Sequence, residues 1–502
     1  MQGKVLFDAI ARGVFAALFA ADLFSLVPAY AQAVPKTWDE RALETGVIQP
    51  PVAHAPVKHI PADYYYRMRE RVIYRTYPVY SSKREPPGYL EKLALAEPEV
   101  VFDAGKLHTE QDWIGAGKQV FRYPIGLFPV DMLAVWRTIM ERTGVPVARD
   151  GTYPHLSIVV PKKGVVMAGF LSCATCHTRI QPDGSVIEGG QGTVPDLLLG
   201  FPPDVQIARA FQRALFRVPW IDNDPIDRVQ KMSIDEINAI KAAMPLGVVA
   251  RHGTSLFTPV QIPDLIGVRE RRYLDRTGLM RHRDIGDMMR YAALNQGADM
   301  LSDYAGYRPV AGVAPVAGLK DDHLPPPEAL ERYSDPQLFA LAKYVYSLAP
   351  PPNPNGITDP SRRGEAVFAR EGCARCHTPP LYNSNKLTPA RGFEIPEEHR
   401  RTYEIEPTIV GTDTDLTMRT RRGTGYYKIP SLLGVWYRGP FEHSGSVATL
   451  EDWFDAKRLR SDYVPTGFRG FGVEHRAVPG HPFGLNLSAD DKAALIAFLK
   501  TL

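Results

Sequence analysis

The chain has 502 residues, 44% of them hydrophobic and 23% charged, and a formal net charge of +3. These proportions belong to an ordinary globular protein of two or three domains and exclude a disordered or membrane-embedded one. The near-neutral balance, with no long basic run, gives nucleic acid no electrostatic footing as a partner. At the N-terminus, Lys4 and Arg12 precede an apolar run over residues 14–27, followed by Ala29-Tyr30-Ala31-Gln32-Ala33. This is the layout of a secretory signal peptide over residues 1–33, cut near Ala31 or Ala33, and it predicts a periplasmic or secreted protein. Asp22 interrupts the run, so an uncleaved anchor stays as the alternative, although the run falls short of the roughly 20 apolar residues of a spanning helix.

Residues 34–105 are rich in proline and tyrosine, with Tyr64-Tyr65-Tyr66 and Tyr74-Arg75-Thr76-Tyr77-Pro78-Val79-Tyr80. Weak periodicity and repeated X-Pro breaks predict extended segments and turns packed on the surface of the domains that follow. An internal repeat begins after this extension. Gly117-Lys118-Gln119-Val120-Phe121 matches Gly364-Glu365-Ala366-Val367-Phe368, each in a predicted first helix. The first copy then carries an insertion of roughly fifty residues, with an apolar helix expected over 132–140 and a strand over 156–160. Further on, Ile262-Pro263-Asp264-Leu265-Ile266-Gly267-Val268 aligns with Ile429-Pro430-Ser431-Leu432-Leu433-Gly434-Val435. Arg272-Tyr273 is set against Arg438-Gly439, and Thr277-Gly278 against Ser444-Gly445. Each half closes with a capped helix, over 338–348 and 493–502, and the proline-rich stretch from Ala349 to Pro354 reads as a linker. The predicted domains are therefore 106–349 and 350–502.

Each half holds one pentad of the form Cys-x-x-Cys-His: Cys173-Ala174-Thr175-Cys176-His177 and Cys373-Ala374-Arg375-Cys376-His377. The pattern is that of covalent c-type haem attachment. Two thiols about one helical turn apart can form thioethers to the two vinyl groups of one porphyrin, and the adjacent histidine is then held under the iron as axial ligand. A redox dithiol or half a zinc site is the bland reading of each pentad. Against it, all four cysteines of the chain lie inside the pentads and each pair is followed directly by histidine. The expected fold class is mainly α, two cytochrome c-type haem domains in tandem with long irregular loops and the Pro/Tyr-rich extension. The expected cofactors are two covalently attached c-type haems.

The stretch Tyr427-Lys428-Ile429-Pro430-Ser431-Leu432, continuing to Gly439-Pro440-Phe441-Glu442-His443-Ser444-Gly445, resembles the C-terminal haem-domain motif of the bacterial dihaem cytochrome c peroxidase superfamily. That superfamily includes the dihaem enzyme that matures the tryptophan-derived quinone of methylamine dehydrogenase. Within it the chain is most similar in style to the secreted dihaem rubber oxygenases. The resemblance implies a reactive N-terminal haem on His177, the catalytic position, and an electron-relay haem on His377. It also implies a sixth ligand of the relay haem in the loop Pro479-Gly480-His481-Pro482, which offers His481, with His475 as competitor and His443 read as structural. A histidine in that place would lower the relay potential relative to methionine. Dioxygen or peroxide is the implied small substrate, with a hydrophobic organic substrate and a small redox protein as further partners; calcium between the domains is left open.

Residues 178–200 contain neither histidine nor methionine, and the peroxidase Trp-Asp-Gly-Arg segment and its glutamate are missing. This favours an open, apolar distal side at the first haem. Met244 is the rival sixth ligand there, and ligation by it would make the protein an electron carrier without a substrate of its own; an unligated core methionine is the other reading. Trp220 and Trp436 are candidates for electron transfer or for plain core packing. Arg272 and Arg438 are candidates for pairing with haem propionates or for a solvated surface.

Overall fold

The computed structural model describes residues 33–199, 205–222, 224–311 and 324–502. Apart from Ala33, the leader read over residues 1–33 lies outside them. Among the described residues no helix is long and apolar enough to cross a membrane.

Two crossed helix pairs organise the chain, one in each half. Helix α1 (Glu110–Arg122) starts at a capping box in which Thr109 and Asp112 exchange side-chain to backbone hydrogen bonds, and α2 (Asp335–Ser347) starts at the same device built from Ser334 and Gln337. In the second half α3 (Asp359–Arg370) is boxed by Thr358 and Ser361, and α4 (Ala489–Lys500) is capped by Ser488. The pairs cross where the repeat places a glycine. A Cβ added to Gly117 would sit 1.9 Å from the Ala340 carbonyl oxygen, and one added to Gly364 would sit 1.9 Å from the Ala494 carbonyl oxygen. Only a residue without a side chain permits that approach. Next to each crossing an aromatic pair closes the contact, Phe121 on Tyr344 at 5.2 Å between ring centroids and Phe368 on Phe498 at 5.4 Å.

The insertion carries the expected helix, over Met132–Arg142, and the expected strand, which runs longer at both ends, over Thr152–Lys162. The strand belongs to an antiparallel sheet of four, β1 (Thr76–Tyr80), β2 (Gly126–Pro129), β3 (Thr152–Lys162) and β4 (Val165–Phe170), in the order β1-β3-β4-β2. Register is set by Tyr77 opposite Ile158, Ser157 opposite Gly169, and Leu127 opposite Gly169. Together with six two-stranded ribbons among the described residues, this makes the fold mixed, helices with small sheets, and corrects the mainly α expectation. The cause is a run of β-branched and aromatic residues in β3, which is buried on both faces and so prefers a central strand.

The Pro/Tyr-rich segment packs against the first helix pair and sends aromatic anchors into its core. Trp38 stacks on Tyr65 at 4.5 Å, donates from its indole nitrogen to the Ile60 carbonyl at 2.8 Å, and shares one apolar core with Trp113 of α1 and Phe339 of α2. Alternation of proline with aromatics hid these anchors, because no helical or strand period runs through them.

Replacing Gly117 by alanine should separate α1 from α2 and lower stability by about 1–3 kcal/mol, the usual cost of overpacking. Gly115→Ala on the same helix, with nothing within 4 Å of its added Cβ, should be neutral or stabilising by up to about 1 kcal/mol. Thermal unfolding of the two variants side by side checks this, and equal melting points would contradict it.

Candidate functional site

Both pentads adopt a single tight turn that lets the amide of the histidine donate to the carbonyl of the first cysteine, at 2.8 Å from His177 to Cys173 and 2.9 Å from His377 to Cys373. All four cysteines are free thiols. Burial pushes those of Cys173 and Cys373 up to about 11 and that of Cys176 up to about 12. Among the described residues no group of three His, Cys, Asp or Glu side chains is placed to hold a metal ion.

The turns are anchored differently. In the first, Thr175 is fully buried, boxes with Ser172 and donates to the His155 carbonyl on β3 at 2.8 Å. In the second, Gly372 enters with a positive φ of 72° and Arg375, exposed, pairs with Glu406.

The histidines themselves share one device. His177 Nδ1 lies 2.9 Å from the Pro263 carbonyl oxygen, and His377 Nδ1 lies 3.1 Å from that of Pro430. The prolines are the matching positions of the repeated Ile-Pro motif. A carbonyl only accepts, so each Nδ1 carries the proton and each Nε2 presents its lone pair, the form an imidazole needs as a metal ligand. Burial holds both rings neutral, pushing each down to about 4.

His481 lies within electrostatic reach of His377. Burial, reinforced by the His377 ring and Arg458, pushes it down to about 3, and its Nδ1 has no hydrogen-bond partner among the described residues. Its loop hangs on Arg458, a fully buried guanidinium that donates to the carbonyls of Trp453, Val478, Pro479 and His481, each at 2.8 Å, and packs 4.7 Å over the Trp453 ring. Trp453 in turn meets His481 edge-on at 5.4 Å. His475, by contrast, is exposed beside Glu474. His443 is buried against Glu442 and the Tyr427 ring.

Met244 packs in an apolar cluster with Phe216, Val229, Ile237, Ile240 and Val248 that contains no residue of either pentad. Trp220 tilts against Tyr304 at 6.1 Å and Trp436 stands edge-on to Tyr437 at 5.1 Å. Arg272 is exposed and pairs with Glu404. The motif runs at a constant offset of 167 positions, which sets Arg271, not Arg272, against Arg438. The contacts agree, since Arg271 donates to the Asp264 carbonyl as Arg438 donates to that of Ser431, the equivalent residue, at 2.7 Å. The pairing of Arg272-Tyr273 with Arg438-Gly439 is therefore one residue out of register, and at the next positions Asp275 and Glu442 both take a φ of 71°. The constant offset was the signal that could have exposed the slip.

The two proximal loops are stitched to one another. Tyr437, buried, donates to Asp264 Oδ2 at 2.5 Å, and the Lys428 amide donates to the Arg276 carbonyl at 3.0 Å. Gln191 brackets Gly439-Pro440, donating to the Pro440 carbonyl at 3.0 Å and accepting from the Gly439 amide at 3.3 Å. In the loop after the first pentad every carboxylate is engaged. Asp183 accepts from Ser185, Glu188 from Arg122 and Tyr344, and Asp196 from Lys241 and the Ala250 amide.

No family model matches the sequence. The chain shares distant homology with cytochrome-c peroxidases. It is 26% identical over 163 residues to cytochrome-c peroxidase IdrP1 of Denitromonas iodatirespirans, covering 28% of this chain and 40% of that protein. It is likewise 26% identical over 166 residues to the IdrP1 of Pseudomonas sp. (strain SCT), covering 30% and 41%. The chain thus spans about two fifths of the length of the curated relatives it matches. Among solved structures, Kuenenia stuttgartiensis hydrazine synthase aligns over 60% of this chain and 88% of its own at 16% identity with a TM-score of 0.28. A MauG-like protein associated with microbial copper homeostasis aligns over 34% and 56% at 20% identity with a TM-score of 0.22. Superpositions that loose carry no argument about this fold.

Replacing Arg458 by methionine removes four hydrogen bonds, three of them to the His481 loop and one to Trp453, and should cost about 4 kcal/mol at roughly 1 kcal/mol each. Arg460→Met, at an exposed arginine paired with Asp462, should cost less than about 1 kcal/mol by thermal unfolding. Acid sensitivity has a source in His155, which burial pushes down to about 4 from its ordinary 6.5. Unfolded histidine binds its proton near 6.5, so the stability gained by burying it neutral is complete above that pH and is lost as pH falls towards 4. His155→Gln should flatten the decline over this window by about 3 kcal/mol in pH-dependent denaturant titrations, at about 1.4 kcal/mol per unit.

Proposed function

We propose that the chain is an exported dihaem c-type cytochrome, an oxidoreductase that activates peroxide or dioxygen at the His177 site and exchanges electrons through the His377 site. Its two cytochrome units run over about 106–349 and 350–502. The observation that carries the reading is the twin hydrogen bond from Nδ1 to a proline carbonyl, which prepares both pentad histidines as Nε2 ligands. The donor set fits the group: paired thiols one turn apart, a neutral oriented imidazole beside them, and unpaired cations lining the same loops. Bound haem iron supplies the electron transfer and the small-molecule chemistry.

The remaining work belongs to the chain's own side chains. Thr175 and Ser172 hold the first pair of thiols in one turn, and Gly372 does so for the second. Pro263 and Pro430 keep the proton on Nδ1. Arg458 holds the loop of His481, whose ring would join His377 in holding the second haem and would reserve that site for electron transfer. At the first site neither sequence candidate supplies an equivalent: Met244 packs in an apolar cluster, and the loop over residues 178–200 offers neither histidine nor methionine. Its carboxylates are all committed to other partners, so no acid-base group for peroxide comes from that loop. This favours a dioxygenase of the rubber-oxygenase style acting on a hydrophobic organic substrate. Homology to cytochrome-c peroxidases supports the second reading, peroxide reduction with electrons from a small redox protein.

Carbon monoxide titration of the reduced, purified protein tests the assignment. One equivalent per chain should bind, and His481→Ala should raise this to two. A wild-type protein that binds neither carbon monoxide, dioxygen nor cyanide would be an electron carrier and would sink the proposal. Stopped-flow mixing separates the two readings: rapid oxidation by peroxide, with turnover sustained by a reduced cytochrome, marks the peroxidase.

A further inference from the structure

Five cations gather around the two proximal loops: Arg179, Arg271, Arg276 and Lys428, with Arg438. Among the described residues no side-chain nitrogen of the five lies within 4.0 Å of a carboxylate oxygen, and Asp264, Asp275 and Glu442 act on them only from further away, whereas their neighbours Arg251 and Arg422 are both paired with Asp275. All five are half-buried. Unpaired cations away from bulk water are costly, so such a gathering needs compensating negative charge.

Their placement says what kind. Arg271 hangs on the loop that holds His177, donating to the carbonyl of Asp264 and, at 2.6 Å, to that of Ile266. Arg276 donates from Nε to the Gln261 carbonyl at 3.2 Å on the same loop, which leaves its two terminal nitrogens for another acceptor. Arg438 is tied to Ser431, next to the proline that holds His377. Lys428 comes from the second half yet lies among first-half cations, because its amide is bonded to the Arg276 carbonyl. The charges are close enough to disfavour one another: burial, with Arg438 and Arg271 beside it, pushes Arg276 down to about 9.

We infer that Arg271, Arg276, Lys428 and Arg438 form one carboxylate-binding centre shared by both haem sites, which takes propionates of both haems with no divalent cation between them. The inference rests on the dihaem reading. It makes the two sites share a charge environment, so that removing one cation is felt at both irons. Guanidinium and ammonium groups bind carboxylates directly through charge-assisted hydrogen bonds, which are about twice as strong as neutral ones.

The test is a spectroelectrochemical titration of the purified full-length holoprotein, with haem content measured alongside. In Lys428→Met and in Arg276→Met both midpoint potentials should fall, because a lost positive charge favours the ferric state. A tenfold change in the ferric to ferrous ratio at each site corresponds to about 59 mV for a one-electron couple. Lys428→Arg and Arg276→Lys should stay near wild type, and so should Arg272→Met at the exposed position. A shift confined to one haem, or no shift in the haem-loaded fraction, overturns the shared centre while leaving the haems in place. Fewer than two haems per chain in the wild type overturns the dihaem reading itself. Dialysis of the wild type against a calcium chelator should leave both potentials unchanged; a fall in both that added calcium reverses would assign the compensation to a divalent cation and overturn the inference.

Discussion

The hydrogen bond from a buried imidazole Nδ1 to a proline carbonyl is the contact on which the rest of this structure depends. Proline suits the place because its ring fixes the local backbone and its carbonyl can only accept. The bond sets the tautomer, the ring's orientation and the face offered by Nε2. It is made twice, at His177 with Pro263 and at His377 with Pro430, and each bond spans a long stretch of chain. Neither pentad is therefore a self-contained attachment sequence. Each needs a loop tens of residues downstream, and the crossed helices keep that loop in place.

From this common device the two sites diverge by what surrounds them. The first is backed by a four-stranded sheet through Thr175 and His155, which ties the pentad turn to a rigid strand. The second is more open at Arg375, and near it His481 sits on a loop three of whose carbonyls are gathered by one buried guanidinium. Among the described residues Arg458 has no carboxylate partner; its charge is satisfied by four backbone dipoles and an indole face, a neutral way to keep a cation inside. The surroundings of the two pentads thus differ: a buried histidine on an arginine-held loop lies near the second, and the first is backed by the sheet. That asymmetry supports separate roles for two copies of the same motif.

Between them lies an interface of unusual sign. Asp264 takes the Tyr437 hydroxyl and Asp275 takes Arg251, and neither carboxylate touches a side-chain nitrogen of the cluster. The cations are left over. An excess of positive charge where two loops from different halves meet is hard to explain by folding alone, and it suits a junction that receives anions from both sides.

Much of this was legible without coordinates. The pentads, the glycines at the helix crossings and the repeated Ile-Pro motif are local patterns whose spacing carries their meaning, and the capped helices begin where serine and threonine announce them. What misled was of two kinds. Arg271, not Arg272, matches Arg438 at the constant offset, and side-chain contacts expose that register. The tyrosine-rich segment shows no period, so its buried Trp38 and Tyr65 and its strand in the sheet could not be told from surface coil. The sequence by itself determined the thiol and imidazole chemistry and its duplication, because those depend on residues a few positions apart. Only the tertiary structure decided that the His481 ring is buried on a loop held by Arg458 while His475 is exposed, that Met244 belongs to an apolar core, and that cations from both halves converge. Each of these is a contact between distant segments, set by packing and not by spacing along the chain.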